Sequence, residues 1–152
     1  MILWFTGISG VGKTLIAKNI YTILNKTNKN LIHIDGDIFR KMLANDLGYT
    51  LKDRDKNALR IINFVTFLNK QEINVIVSAN LTSQKYRIYC KKKFKNFLEV
   101  NVSADYRILK KEIRRKSIIL KIYLMLLDMV LKIRKIIQHN LKLLIINIKK
   151  NF

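Results

Sequence analysis

Residues 2–14 read Ile2-Leu3-Trp4-Phe5-Thr6-Gly7-Ile8-Ser9-Gly10-Val11-Gly12-Lys13-Thr14. The short apolar run at 2–6 stops at a glycine and reads as a buried strand. From Lys13 onward Leu15, Ile16, Ile20, Ile23 and Leu24 recur at helical spacing. Between strand and helix, Gly7 to Thr14 fit the pattern G-x-x-x-x-G-K-[ST]. Glycines there let successive backbone N–H groups point inward without a Cβ in the way. The helix that starts near Gly12 adds its positive end. Lys13 can reach the β- and γ-phosphates of a nucleotide as a point charge, and the Thr14 hydroxyl can hold Mg²⁺. Gly7, Ile8, Ser9, Gly10, Val11, Gly12, Lys13 and Thr14 are therefore the expected ATP-binding residues. Three of the chain's five glycines, Gly7, Gly10 and Gly12, fall in this loop, and there is no proline. The strand before and the helix after separate the loop from an incidental glycine-rich turn.

Outward from the loop, strand and helix patterns alternate. Leu31-Ile-His-Ile34 reads as a strand followed at once by a turn, Asp35-Gly36-Asp37. Phe39, Met42, Leu43 and Leu47 suggest a short helix ending near Gly48. Residues 54–69 carry a further helical pattern, 73–77 a strand, 84–94 a basic helix and 97–102 a strand. This order predicts an α/β three-layer sandwich with a parallel sheet of about five strands, similar to P-loop nucleoside triphosphate hydrolases, the last strand at 141–148. Ligands of such sheets bind at the carboxyl ends of the strands, where the loop at 7–14, the turn at 35–37 and the segment after Val77 all fall.

A chain of 152 residues fits a single domain, 1–152, and its 49% apolar content excludes wholesale disorder. The single cysteine, Cys90, has no partner for a disulfide or a zinc site, and a small semi-buried residue is its expected role. A cytoplasmic setting is expected from this and from the lack of a basic leader before Trp4. The net charge of +20 suits anionic ligands, although the abundance of Lys, Asn and Ile is also what an AT-rich genome supplies. Nucleic acid is not the expected partner. No uncharged apolar run approaches the roughly 20 residues that span a bilayer. A homodimer is a possible assembly.

Beyond the loop, Asp35-Gly-Asp-Ile-Phe-Arg40, Asp46-Leu-Gly-Tyr-Thr50, Asp53-Arg-Asp-Lys-Asn57 and Val75-Ile-Val-Ser78 follow in order. Together with the loop they resemble the adenylylsulfate kinase family across residues 1–103. The resemblance implies transfer of the ATP γ-phosphate to the 3′-hydroxyl of adenosine 5′-phosphosulfate, with Mg²⁺. Residue by residue it implies that Lys13, Asp37 and Ser78 are catalytic and that Thr14 and Asp37 hold the metal. It implies a substrate-binding set of Asp35, Arg40, Tyr49, Arg54 and Asn57, with Arg60 one helical turn further on. Arginine suits sulfate and phosphate because it offers paired, planar donors. Alone, Asp35-Gly36-Asp37 would read as a simple turn and each arginine as a solvated charge; His33, inside an apolar strand, reads as structural. After Arg107 the resemblance lapses. The family's lid motifs (an Arg-Asp pair, Lys-Gly-Leu-Tyr and Phe-Thr-Gly) are replaced by Arg114-Arg-Lys-Ser-Ile-Ile-Leu-Lys-Ile-Tyr123, so 107–152 is an atypical or degenerate C-terminal region.

Overall fold

Ile2–Thr6 forms strand β1, and all five of its residues are buried. A strand covered on both faces has no solvent side to make polar, which is why this one reads as an unbroken apolar run. The computed structural model describes residues 1–43 and 46–103, which lie in the first of two compact units, Met1–Ala104. After β1 come α1 (Lys13–Leu24), β2 (Leu31–Asp35), α2 (Gly36–Leu43), α3 (Leu51–Lys70), β3 (Asn74–Ser78), α4 (Gln84–Lys93) and β4 (Phe97–Asn101). The four strands form one parallel sheet in the order β2-β3-β1-β4. The expected strand at 141–148 and the atypical region at 107–152 lie outside the described residues.

Alternation along the strands distributes side chains between two faces. Ile2 and Trp4 of β1, Val75 and Val77 of β3 and Ile34 of β2 share one cluster with Phe39 of α2, with Ala58, Ile61, Ile62 and Val65 of α3, and with Cys90 of α4. Full burial of side chains this large contributes about 1.5–3 kcal/mol each. α1 packs on the other face against β1, β2 and β3, burying Ile16, Ala17, Ile20 and Leu24. The result is three layers, as the element order predicts. Cys90 is fully buried, and burial pushes its thiol up to about 11, so it is an inert core residue.

Three helix boundaries differ from the sequence reading: α2 ends at Leu43 rather than near Gly48, and the starts of α2 and α3 are moved by local bonds. α2 begins at Gly36 rather than near Phe39, because Asp35 Oδ1 accepts from the N–H groups of Asp37 (3.0 Å) and Ile38 (3.2 Å). The carboxylate satisfies donors that a helix start would otherwise leave unpaired. Asp35-Gly36-Asp37 is thus a strand end running into a helix start. α3 begins at Leu51 because the Thr50 hydroxyl accepts from the Asp53 N–H at 3.2 Å and donates to the Asp53 carboxylate at 2.7 Å. Among the described residues no helix is long and apolar enough to cross a membrane.

Candidate active site

The loop after β1 owes its shape to three glycines with positive φ: Gly7 (141°), Gly10 (79°) and Gly12 (94°). Gly7 is the most constrained, since a Cβ there would lie 2.2 Å from the Val102 carbonyl oxygen. Lys13 Nζ donates to the Ile8 carbonyl at 2.8 Å, folding the ammonium over its own loop. Burial lowers the Lys13 pKa; Asp37 and Asp35 work against that shift and Arg54 adds to it.

Beside the loop lies a cleft of about 470 Å³. Ser9, Gly10, Gly12, Lys13 and Thr14 supply its phosphate-loop side. Asp37, Arg40, Tyr49, Arg54 and Asn57 also line it, as do Ser78, Ala79 and Asn80 at the end of β3. Among the remaining ATP-binding expectations, Gly7, Ile8 and Val11 shape the loop rather than line the cleft, and the Ile8 side chain is exposed. Gly36 lines the cleft where α2 passes β3; a Cβ there would meet the Ala79 Cβ at 2.6 Å.

Asp35 sits beside this cleft as a hub. Its Oδ2 accepts from the Thr14 hydroxyl at 2.6 Å and from the Ser78 hydroxyl at 3.0 Å, while Oδ1 caps α2. Burial alone would raise its pKa; the bonds from Thr14, the Ile38 N–H, Ser78 and the Asp37 N–H outweigh burial and hold it below the ordinary value. Asp35 is charged at neutral pH and ties β2, β3 and α1 together.

Arg40 is not a solvated charge. It is 6% exposed, donates through Nη1 to the Gly48 carbonyl, and lies 4.6 Å from the centre of the Tyr49 ring. Asn57 is 4% exposed and donates to the Gly36 carbonyl at 3.0 Å. Arg40 Nε and Asn57 Oδ1 are buried with no hydrogen-bond partner, a donor and an acceptor left over on the lining of one cleft. Arg54 Nε donates to the Tyr49 carbonyl at 2.9 Å. Arg60 does not join this group; it forms a two-pronged pair with Asp46 at 2.6 and 2.7 Å.

The chain matches the family model for adenylylsulphate kinase over residues 1–118. It belongs to that family. Among its relatives are an adenylyl-sulfate kinase from Chloroflexus aurantiacus, 35% identical over 72% of this chain and 59% of that one, and a cytidine diphosphoramidate kinase from Campylobacter jejuni, 36% identical over 68% and 61%. The chain spans about three-fifths of the length of these two curated relatives. Its structure is similar to that of the Mycobacterium tuberculosis APS kinase in complex with AMPPNP and APS (TM-score 0.60, 27% identity, 72% of this chain and 66% of that one).

Against this family background one residue escapes motif reading. Asn80 stands two residues past the end of β3. With its amide oriented by its neighbours, it donates to the Gly7 carbonyl and accepts from Arg54 Nη1 at 2.7 Å, joining the phosphate loop to α3. Its position just past the carboxyl end of β3 is the only sequence signal that could have found it.

Proposed function

We propose that this adenylylsulphate kinase family member transfers the γ-phosphate of ATP to the 3′-hydroxyl of adenosine 5′-phosphosulfate, giving ADP and 3′-phosphoadenylylsulfate. One observation carries the reading: a single cleft gathers Lys13 and Thr14 of the phosphate loop with Asp37, Arg40, Arg54 and Asn57. In the step, the acceptor oxygen forms a bond to the γ-phosphorus, the bond to the ADP oxygen breaks, and the hydroxyl proton passes to Asp37. Lys13 neutralises charge on the transferring group. Arg40 and Arg54 take the anionic end of the acceptor, and Asn57 its nucleoside, with Tyr49 beside them. Ser78 lines the site at the end of β3.

The site suits Mg²⁺. The Thr14 hydroxyl spends its proton on Asp35, which leaves its lone pairs for a cation. Among the described residues no group of three or more His, Cys, Asp or Glu could hold a metal ion by itself. Such a site fits a cation that shares its shell with water and phosphates. Thr14 and Asp37 would hold it, and when bound it neutralises charge on the phosphates. Sulfate activation in the cytoplasm is the setting that this reading implies.

A second acceptor is favoured by one finding, the 36% identity to a kinase of cytidine diphosphoramidate. The two readings share every residue of the phosphate loop and differ in the nucleotide that meets Arg40, Arg54 and Asn57. A coupled ADP-release assay separates them. ADP release with adenosine 5′-phosphosulfate, and none with cytidine diphosphoramidate, is the expected result. The reverse pattern would move the assignment to the cytidine nucleotide, and release with neither would overturn both.

A further inference from the structure

His33 sits in β2, two residues before Asp35 and on the same face of the sheet, and is half-buried. Its Nε2 lies 3.0 Å from Ser78 Oγ. Ser78 Oγ in turn lies 3.0 Å from Asp35 Oδ2, which also takes the Thr14 hydroxyl at 2.6 Å. The protons in this chain can be counted. An ionised carboxylate only accepts, and a serine hydroxyl has one hydrogen to give. Asp35 must therefore receive the Ser78 hydrogen, and the remaining bond to Ser78 must be donated by the imidazole. Nε2 of His33 carries the proton.

We propose that His33 is a positioning residue for the metal–phosphate end of the site: its Nε2–H fixes the Ser78 hydroxyl, Ser78 fixes Asp35, and Asp35 holds the Thr14 hydroxyl with its lone pairs free. The Ser78 and Thr14 hydroxyls both donate to Asp35 Oδ2, and the His33 N–H donates to the Ser78 oxygen, so each bond commits the next. Removing the first donor frees the Ser78 hydroxyl to rotate and loosens the carboxylate. Outer partners of this kind set the affinity of a site that they never touch. Burial also keeps His33 below its ordinary pKa, with Asp35 working against that shift and Lys18 adding to it, so the neutral ring is the form at hand. Ser78 is accordingly an aligning hydroxyl rather than a free nucleophile. The proposal rests on the ATP-binding reading of the loop.

The test uses the full chain. In ¹⁵N-edited spectra of the nucleotide-free protein, His33 should show the tautomer protonated on Nε2; the Nδ1-protonated tautomer would overturn the proposal whatever the protein phosphorylates. A fluorescent ATP analogue then reports the Mg²⁺ concentration that gives half of the binding signal. His33→Leu should raise that concentration about tenfold. His33→Gln, whose side-chain amide can donate to Ser78, should stay within about twofold of the native chain, with both variants keeping the native helical spectrum. Equal, native-like values in both variants would refute the role, and equal loss in both would reduce His33 to a packing residue. A native chain that binds no analogue would sink the ATP reading instead.

Discussion

The cleft has two sides built from different materials. Its phosphate-loop side is mostly backbone, bent by Gly7, Gly10 and Gly12 and closed by Lys13 and Thr14. The other side, which we propose takes the acceptor, is side chain, with Asp37 and Arg40 brought in by α2 and Arg54 and Asn57 by α3. Backbone amides suit what every nucleoside triphosphate shares, whereas side chains held by helices, Arg40 and Asn57 among them buried, would select one acceptor. The first side should therefore fail when a Cβ is added, and the second when a donor or acceptor is removed.

The largest effect belongs to the backbone side. Gly7→Ala combines a φ of 141° with a Cβ 2.2 Å from the Val102 carbonyl. It should cost about 3 kcal/mol or more of stability, read from the urea midpoint, and abolish ATP binding. A native midpoint would break the comparison at its strongest point. Next comes Arg40→Met, which removes a buried guanidinium and keeps much of its bulk. Acceptor binding should weaken by at least about 30-fold, or 2 kcal/mol, while ATP affinity holds within about twofold. Equal losses for both ligands would show that the two sides are not separable. Gly10→Ala is milder, because φ is 79° but nothing lies within 4 Å of the added Cβ. About 1–2 kcal/mol of strain is expected from the urea midpoint, well short of the Gly7 effect.

The smallest effect concerns Asp35, which joins the two sides. Its folded pKa lies below the ordinary 3.8, so it lends stability that is present above that value and fades as pH falls through the folded pKa. Between pH 5 and pH 3 the urea midpoint of the native chain should fall further than that of Asp35→Asn. Parallel falls would mean that the carboxylate is not the acid-sensitive link.

The backbone side was legible in the sequence because its cause is local. Three glycines between an apolar strand and an amphipathic helix announce a loop whatever packs around it, and the alternation of elements gave the parallel, layered fold. The acceptor side was legible only through resemblance, since nothing in residues 40, 54 and 57 by themselves distinguishes a buried donor from a surface charge. Burial of Arg40 is decided by Gly48 and Tyr49, and departure of Arg60 to Asp46 by a loop that helical spacing does not describe. Asp35 tied to Thr14 and Ser78 (21 and 43 residues away) and His33 tied to Ser78 (45 residues away) depend on distant partners, as does Asn80 between Gly7 and Arg54, and no local pattern reveals them. The start of α2 has a local cause instead: Asp35, at the end of β2, accepts from the N–H groups two and three residues further on, the pattern of a capping aspartate.

The central claim is that the loop at Gly7 to Thr14 wraps a triphosphate. Equilibrium titration of the full chain with ATP and Mg²⁺ tests it most directly. The account predicts saturable binding in the native chain, weakened at least about tenfold in Lys13→Ala by loss of one charge-assisted contact worth 1.5–3 kcal/mol. Absence of saturable binding, or identical affinity in Lys13→Ala, would contradict it.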